Sequence, residues 1–336
     1  MNLDLRTMAN WDHFADTLSI VRASSNGRTR EQWLADRATG IGGSEASAVM
    51  GVGRKSRYTL WAEKTGLVRP DDVDSEAAHW GKLLEGVILD EFAKRSGRKV
   101  RYWPQTLSVT HRELPWMRCT PDGLQWWEQR GAGVVQVKTC SQRMGSEYGP
   151  GIGWGDDETD ADPNEWREYV PLNHQIQLQH EMEVCGAGWG SIVVLIGGQV
   201  MKWWDVQRDD KFIATLIDAE RDFMGMIERR DPPEIDGSES TTRTVKKMHP
   251  RDNGDEVALP VEMFDVALEL ELVKADRKAM EDREAGLANQ LRAAIGDATF
   301  GRLVDGTRYS LKTTTTEDRM VRGSTYRVLR KLKGKQ

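Results

Sequence analysis

The stretch 134-VVQVKTC-140 decides how this chain is read. Val135 and Val137 alternate with Gln136 and Lys138, and the two-residue period of an extended strand sends the two pairs to opposite faces. Branched apolar residues on one face and a polar pair on the other describe a strand that packs on one side and lines a cleft on the other. Just upstream, 123-GLQWWE-128 has strand composition, and 129-QRGAG-133 reads as the hairpin turn between the two. Asp122, in 120-TPDG-123, stands where the first of these strands begins. Asp122 and the pair Gln136 and Lys138 thus fall on successive strands, in a D-x13-Q-x-K arrangement.

Working outward, 98-RKVRYW-103 and 105-QTLSVT-110 carry further strand signals. Before them, 76-EAAHWGKLLEGVILDEFAKRSG-97 is an amphipathic helix with Leu84, Ile88 and Phe92 at helical spacing and Gly97 as its stop. Two shorter helices precede it. One spans 56–66, and the other opens in 42-GGSEASAVMG-51, where the double glycine makes a turn and Ser44 reads as the N-cap. A helical pattern over 31–38 ends at Gly40, and 24-SSNGRT-29 has loop composition. Downstream, 145–165 reads as a Gly-, Asp- and Glu-rich loop. A helix at 171–186, strands at 190–198 and 199–208 and a helix at 209–230 follow, until the breaker cluster 231-DPPEIDGSEST-241. Helices interleaved with strands in this order predict an α/β (α+β) fold with a central mixed sheet flanked by helices. Composition shifts near residue 250. A long charge-laced helix over 262–295 and short strand-like pieces over 298–332 predict a helical C-terminal extension, giving domains 1–250 and 251–336. The basic tail Arg319–Gln336 holds seven Lys or Arg and no acid, which suits duplex or partner binding and suits a solvated tail equally.

With 336 residues, 38% hydrophobic and 30% charged, the chain has the composition of a soluble globular protein rather than a disordered or membrane one. No apolar run reaches the ~20 residues that span a bilayer, and no signal-peptide pattern opens the chain. Three scattered cysteines form neither a disulfide framework nor a zinc site, which predicts a reducing, cytoplasmic setting. A net charge of −6 argues against indiscriminate nucleic-acid coating but leaves room for a local basic channel. Most of the 13 tryptophans are expected in cores and interfaces, with a minority free to stack on bases.

Four pieces fit one site: Glu85 on the amphipathic helix, Asp122 before its strand, Gln136 with Lys138 on the next, and Gln177 on the helix after the loop. Two carboxylates suit a hard divalent cation, which takes oxygen ligands and keeps several waters. Gln136 offers a neutral amide oxygen, and Lys138 a positive charge able to orient a water and offset developing negative charge. Each residue also has an ordinary explanation: a solvated helix glutamate, a turn Asp-Gly, a surface lysine, an exposed glutamine.

The order of the motifs removes much of that ambiguity. The segment 37-RATGIGGSEASAVMGVGRKSRYTLWAEKTG-66, followed by 80-WGKLLEGVILDEF-92, 120-TPDGL-124, 135-VQVKT-139 and 177-QLQHEMEVCGAGWGSIVVLIGGQ-199, resembles the YqaJ-like viral recombinases. These are relatives of phage lambda exonuclease within the PD-(D/E)xK nuclease superfamily. The resemblance covers roughly residues 30–245. It implies Mg²⁺, with Mn²⁺ as a substitute, held by Glu85, Asp122, position 136 and the Val137 backbone carbonyl, with Lys138 as the catalytic lysine. It further implies a DNA contact at Gln177 and a 5′-phosphate grip by Arg37 and Ser44, although Ser44 also serves as a plain N-cap and Arg37 as a surface residue. The family most often has Glu where this chain has Gln136. An amide still coordinates, but without the several kcal/mol of attraction that a charge contributes at an effective dielectric of about 20. Glu181, one turn after Gln177, is a candidate compensating acid.

What the resemblance implies for function is a phage- or prophage-encoded, Mg²⁺-dependent exonuclease in a bacterial cytoplasm. It would resect linear duplex DNA, 5′ to 3′, for a single-strand annealing protein, as a ring-shaped homo-oligomer, commonly a trimer, with no membrane partner. Two other functions fit the same residues: an endonuclease or nickase on this fold, and a DNA-binding protein whose chemistry is weakened by Gln136.

Overall fold

The computed structural model describes residues 3–5, 32, 39–70, 75–148 and 166–315. The chain divides into two compact units, Met1–Met248 and His249–Gln336. In the first, β1 (Ile41–Gly42) leads into α1 (Gly43–Val49), α2 (Arg57–Lys64) and α3 (Glu76–Ser96). The strands β2 (Lys99–Tyr102), β3 (Val109–Thr110), β4 (Met117–Cys119), β5 (Gly123–Trp127) and β6 (Gly131–Cys140) follow. The unit closes with α4 (Trp166–Tyr169), α5 (Leu172–Cys185), β7 (Trp189–Ile196), β8 (Val200–Gln207), α6 (Asp210–Arg229) and α7 (Glu239–Met248). In the second unit, α8 (Met263–Ile295) precedes the antiparallel pair β9 (Phe300–Arg302) and β10 (Arg308–Ser310).

The main sheet has the order β2-β5-β6-β7-β8 and is mixed: β6 and β7 run parallel, and every other neighbouring pair is antiparallel. A smaller sheet, β1-β4-β3, lies in the same unit. This is the α/β architecture expected, with helices flanking a central mixed sheet. The strand alternation holds residue by residue. Val135 and Val137 pack with Ile88, Leu89 and Phe92 of α3, while Val134 joins Leu178 and Met182 of α5 on the other face. The parity repeats along β7, where Val193 shares the α3 side and Ile192 and Val194 the α5 side. Burying one such aliphatic side chain contributes roughly 1.5–3 kcal/mol, so a one-residue slip of β6 would reverse both faces at great cost. Trp61, Trp103, Trp166, Trp189, Trp203 and Trp204 are buried, in keeping with their expected role as anchors.

Helix ends follow the local chemistry. Ser75 Oγ accepts from Ala78 N at 3.2 Å to start α3, and Gly97 ends it in the left-handed region at φ 67°. At the end of the sheet away from Lys138, the fully buried Arg98 guanidinium makes a double hydrogen bond to Asp205 at 2.8 and 2.7 Å. It also reaches Gln125 and Ser191 and stacks over Trp127, tying the side chains of β5, β7 and β8 together.

Several details depart from the sequence reading. The N-cap of α1 is Gly42, whose N–H donates to Glu45 Oε2 at 2.8 Å, so Ser44 lies inside the first turn and not at the cap. Of 105–110, only Val109–Thr110 is strand. The second hairpin strand already begins at Gly131, which shortens the turn expected at 129–133. The breaker cluster runs into a helix, α7, from Glu239. No helix among the described residues is long and apolar enough to cross a membrane.

Candidate active site

The site forms where β5 stops pairing with β6. Gly123, the first residue of β5, stands opposite Val135, and among the described residues 136–140 of β6 pair with β7 alone. Asp122 therefore sits beside an open stretch of strand edge, and its Oδ2 accepts from Val137 N at 2.7 Å. In an extended strand the N–H and C=O of one residue point to the same side, so the Val137 carbonyl faces this open edge too.

Side chains from three further directions converge there. Gln136 Nε2 donates to Asp122 Oδ2 at 2.6 Å. Gln136 Oε1 accepts from Gln177 Nε2 at 3.0 Å, and the same Gln177 amide group donates to Glu181 Oε1 at 2.9 Å. Lys138 Nζ donates to Gln177 Oε1 at 3.1 Å. From the other side of the sheet α3 brings Glu85, which is hydrogen-bonded to Tyr102. The result is a chain of amides, Gln136 and Gln177, with a buried carboxylate at each end and the ammonium of Lys138 at its middle.

The electrostatics are those of anions crowded out of water. Asp122 is raised above its ordinary value by burial, against the pull of Lys138 and the Val137 N–H. Glu85 is raised to about 7, by burial first and the charge of Asp122 second. Glu181 is raised to about 8 for the same two reasons in the same order. Its Oε2 is buried and has no hydrogen-bond partner among the described residues. Glycine at 43 makes room for this carboxylate: a Cβ there would stand 2.8 Å from Glu181 Oε1.

These features fit a hard divalent cation. The donors are oxygens, two acids repel one another across a small volume, and one buried carboxylate oxygen lacks a partner. Among the described residues no three His, Cys, Asp or Glu side chains form a closed ligand cluster. Gln136 fits least well as it stands, because its amide nitrogen faces Asp122 and its oxygen is engaged by Gln177. To offer oxygen to a cation beside Asp122, the amide must turn over and give up both bonds.

Of the residues singled out in the sequence, Glu85, Asp122, Gln136, Val137, Lys138, Gln177 and Glu181 are brought together. Ser44 is exposed in the first turn of α1, the helix whose Gly43 abuts Glu181. Arg37 lies outside the described residues, as do 149–165 of the loop expected over 145–165 and the basic tail; the start of that loop belongs to a 3-10 helix, Met144–Glu147. Sequence reasoning missed Tyr102 and His174. His174 accepts a hydrogen bond from, or donates one to, the Tyr148 hydroxyl at 2.7 Å. It is pushed down to about 3 by burial, with Lys138 and Arg54 adding to the effect, and so stays neutral at the edge of the site. No periodicity or motif marked either residue; only the fold brings them near.

Comparison with known proteins agrees with the sequence resemblance. Residues 32–188 match the model of the YqaJ-like viral recombinase domain. The chain is 29% identical over 286 residues to a Bacillus subtilis (strain 168) protein described as uncharacterized protein YqaJ, a span of 84% of this chain and 83% of that one. Among solved structures, the alkaline exonuclease LHK-Exo from Laribacter hongkongensis aligns at a TM-score of 0.45 and 18% identity, over 65% of this chain and 100% of that one. A phage related exonuclease from Haemophilus somnus 129PT aligns at a TM-score of 0.41 and 11% identity, over 57% of this chain and 96% of that one.

Proposed function

We propose that this chain, which carries a YqaJ-like viral recombinase domain, is a divalent-metal-dependent deoxyribonuclease that degrades linear duplex DNA from an end. The observation that carries the reading is the meeting of Glu85, Asp122, Lys138 and Gln177 from α3, the start of β5, β6 and α5 at one open strand edge. Mg²⁺ at such a site supplies Lewis-acid polarisation of a phosphodiester and a more acidic water. Asp122, Glu85 and the Val137 carbonyl would hold it. Lys138, kept in place by the Gln177 oxygen, sets a positive charge beside the acids, where it orients a water and offsets charge developing on the phosphate. Gln136 holds Asp122 from one side while the Val137 N–H holds it at the same oxygen, which leaves Asp122 Oδ1 for the cation.

Resection from the 5′ end, delivery of the exposed strand to an annealing protein, and a ring-shaped homo-oligomer are parts of the proposal supported by the family resemblance alone. The 5′-phosphate grip by Arg37 and Ser44 rests on the same ground. A second reading, a DNA-binding protein without cleavage, is favoured by one observation: the Gln136 amide turns its nitrogen toward Asp122.

End-labelled linear duplex, incubated with Mg²⁺ or Mn²⁺ beside closed circular DNA, separates these. Release of nucleotides from the linear substrate alone, lost in Asp122→Ala and Lys138→Ala proteins of intact fold, is expected. Nicking of the circle would point to an endonuclease. Duplex binding with no cleavage at any metal concentration would leave the binding protein.

A further inference from the structure

The second unit contains a long helix whose apolar stripe is exposed. No residue of α8 is buried, and its 33 residues extend about 50 Å. Val266, Val273, Met280 and Leu287 are 53, 56, 63 and 55% exposed. They are spaced by seven, and with Met263, Leu270 and Leu291 they make a three-four repeat along the helix. That is the seam of a two-stranded coiled coil, with Met263, Leu270, Arg277, Glu284 and Leu291 at a and Val266, Val273, Met280, Leu287 and Ala294 at d. Helices in proteins draw most of their stability from burying such a face.

We propose that α8 pairs antiparallel with α8 of a second copy of this chain. The charges choose both partner and direction. A parallel pair in register would put Arg277 against Arg277 and Glu284 against Glu284 in the seam, and Asp276 toward the partner's Glu281. An antiparallel pair centred between Arg277 and Met280 leaves none of the three directly opposed, with the partner's Arg277 one layer away. It seats Leu270 against the partner's Leu287 and Val266 against the partner's Leu291. Arg277 then lies one layer from the partner's Glu284, Lys274 faces the partner's Glu281, and Asp276 faces the partner's Arg283. Each contact occurs twice by symmetry. Sliding one heptad either way brings like charges together: Glu281 with Glu281 and Arg283 with Arg283, or Lys274 with Lys274 and Asp276 with Asp276. The seam thus specifies a single register, as polar a positions do in coiled coils. Leu268 lies off the seam and takes no part.

Sedimentation of the full chain tests this directly. The mass of the wild type should be twice that of Leu270→Glu/Leu287→Glu, while Leu268→Glu keeps the wild-type mass. Arg277→Glu should weaken the assembly at least tenfold, and Arg277→Glu/Glu284→Arg should restore it, because the exchanged pair still meets across an antiparallel seam. Carbodiimide coupling should join Lys274 to Glu281 in the dimer band. Within one helix these residues stand about 10 Å apart, too far for a zero-length bond. Equal masses for wild type and the seam variant, no recovery in the charge exchange, or a Lys274–Glu269 link in place of Lys274–Glu281 would each overturn the proposal.

Discussion

Replacing Glu181 with Gln in the metal-free protein isolates the energetic cost of the buried acid. Glu181 is 1% exposed, and its carboxyl is raised from 4.5 to about 8, by burial above all and by Asp122 next. Between those values the folded protein holds a proton that the unfolded chain releases. Stability therefore falls as pH rises, by about 1.4 kcal/mol per unit from this group, and the loss is complete above the folded value. From about pH 5 to about pH 8 the sum is on the order of 4 kcal/mol, an upper bound for a crowded site. Glutamine keeps an oxygen for the Gln177 amide and carries no charge, so any offset it introduces is independent of pH. Urea unfolding across this range should show Glu181→Gln gaining on the wild type as pH rises, by up to about 4 kcal/mol. A difference that stays flat, or that grows toward low pH, would refute the assignment of Glu181 as an acid held neutral beside the cleft.

Glu85, raised to about 7, must ionise to bind a cation. Mg²⁺ affinity measured calorimetrically without DNA should fall about tenfold per unit as pH drops below 7 and level off above it. Gln136→Glu restores a charge in nearly the same shape and should lower the Mg²⁺ concentration for half-maximal cleavage. Should Glu181 already supply that charge, the same change would slow the enzyme, and only Gln136→Glu/Glu181→Gln would recover the rate. Truncation after about residue 250 should spare metal-dependent cleavage of short duplexes, since every residue placed at the cleft lies before it.

Much of the cleft was legible because strand parity and helical spacing depend on short-range sequence. Gln136 and Lys138 share a face by counting, whereas the apolar stripe of α3 gave only its helix and Glu85 was singled out through the family resemblance. Elements without an apolar period were not legible. In α7, 239-ESTTRTVKKM-248, hydroxyls share the packing with only two apolar side chains, Val245 and Met248: Thr241 donates to Ser56 Oγ at 2.7 Å, and Thr244 meets Thr59 at 2.8 Å. A polarity scale reads such a face as solvent. Strand β4 is three residues long and bracketed by Pro115 and Pro121, so it left no alternation to find. The cap of α1 was misplaced because a serine side chain is the usual acceptor, whereas here Glu45 reaches back to the Gly42 N–H and is itself held by Lys64 at 2.7 Å. The direction of the Gln136 amide depends on Asp122, Gln177 and Lys138 together, which no linear pattern encodes.

The open edge of β6 has a second consequence, for solubility. Backbone donors and acceptors left unpaired along a strand invite another chain to add its own strand, and proteins blunt such edges with charge. Here the guard at Val137 is the Asp122 carboxylate itself. An inactive protein made by Asp122→Ala removes that guard along with the chemistry, and leaves a buried N–H without an acceptor, at roughly 1–3 kcal/mol. It should associate through this edge on concentration. Asp122→Asn keeps an oxygen for Val137 while removing the charge a cation requires, and so separates loss of activity from loss of the guard on this edge.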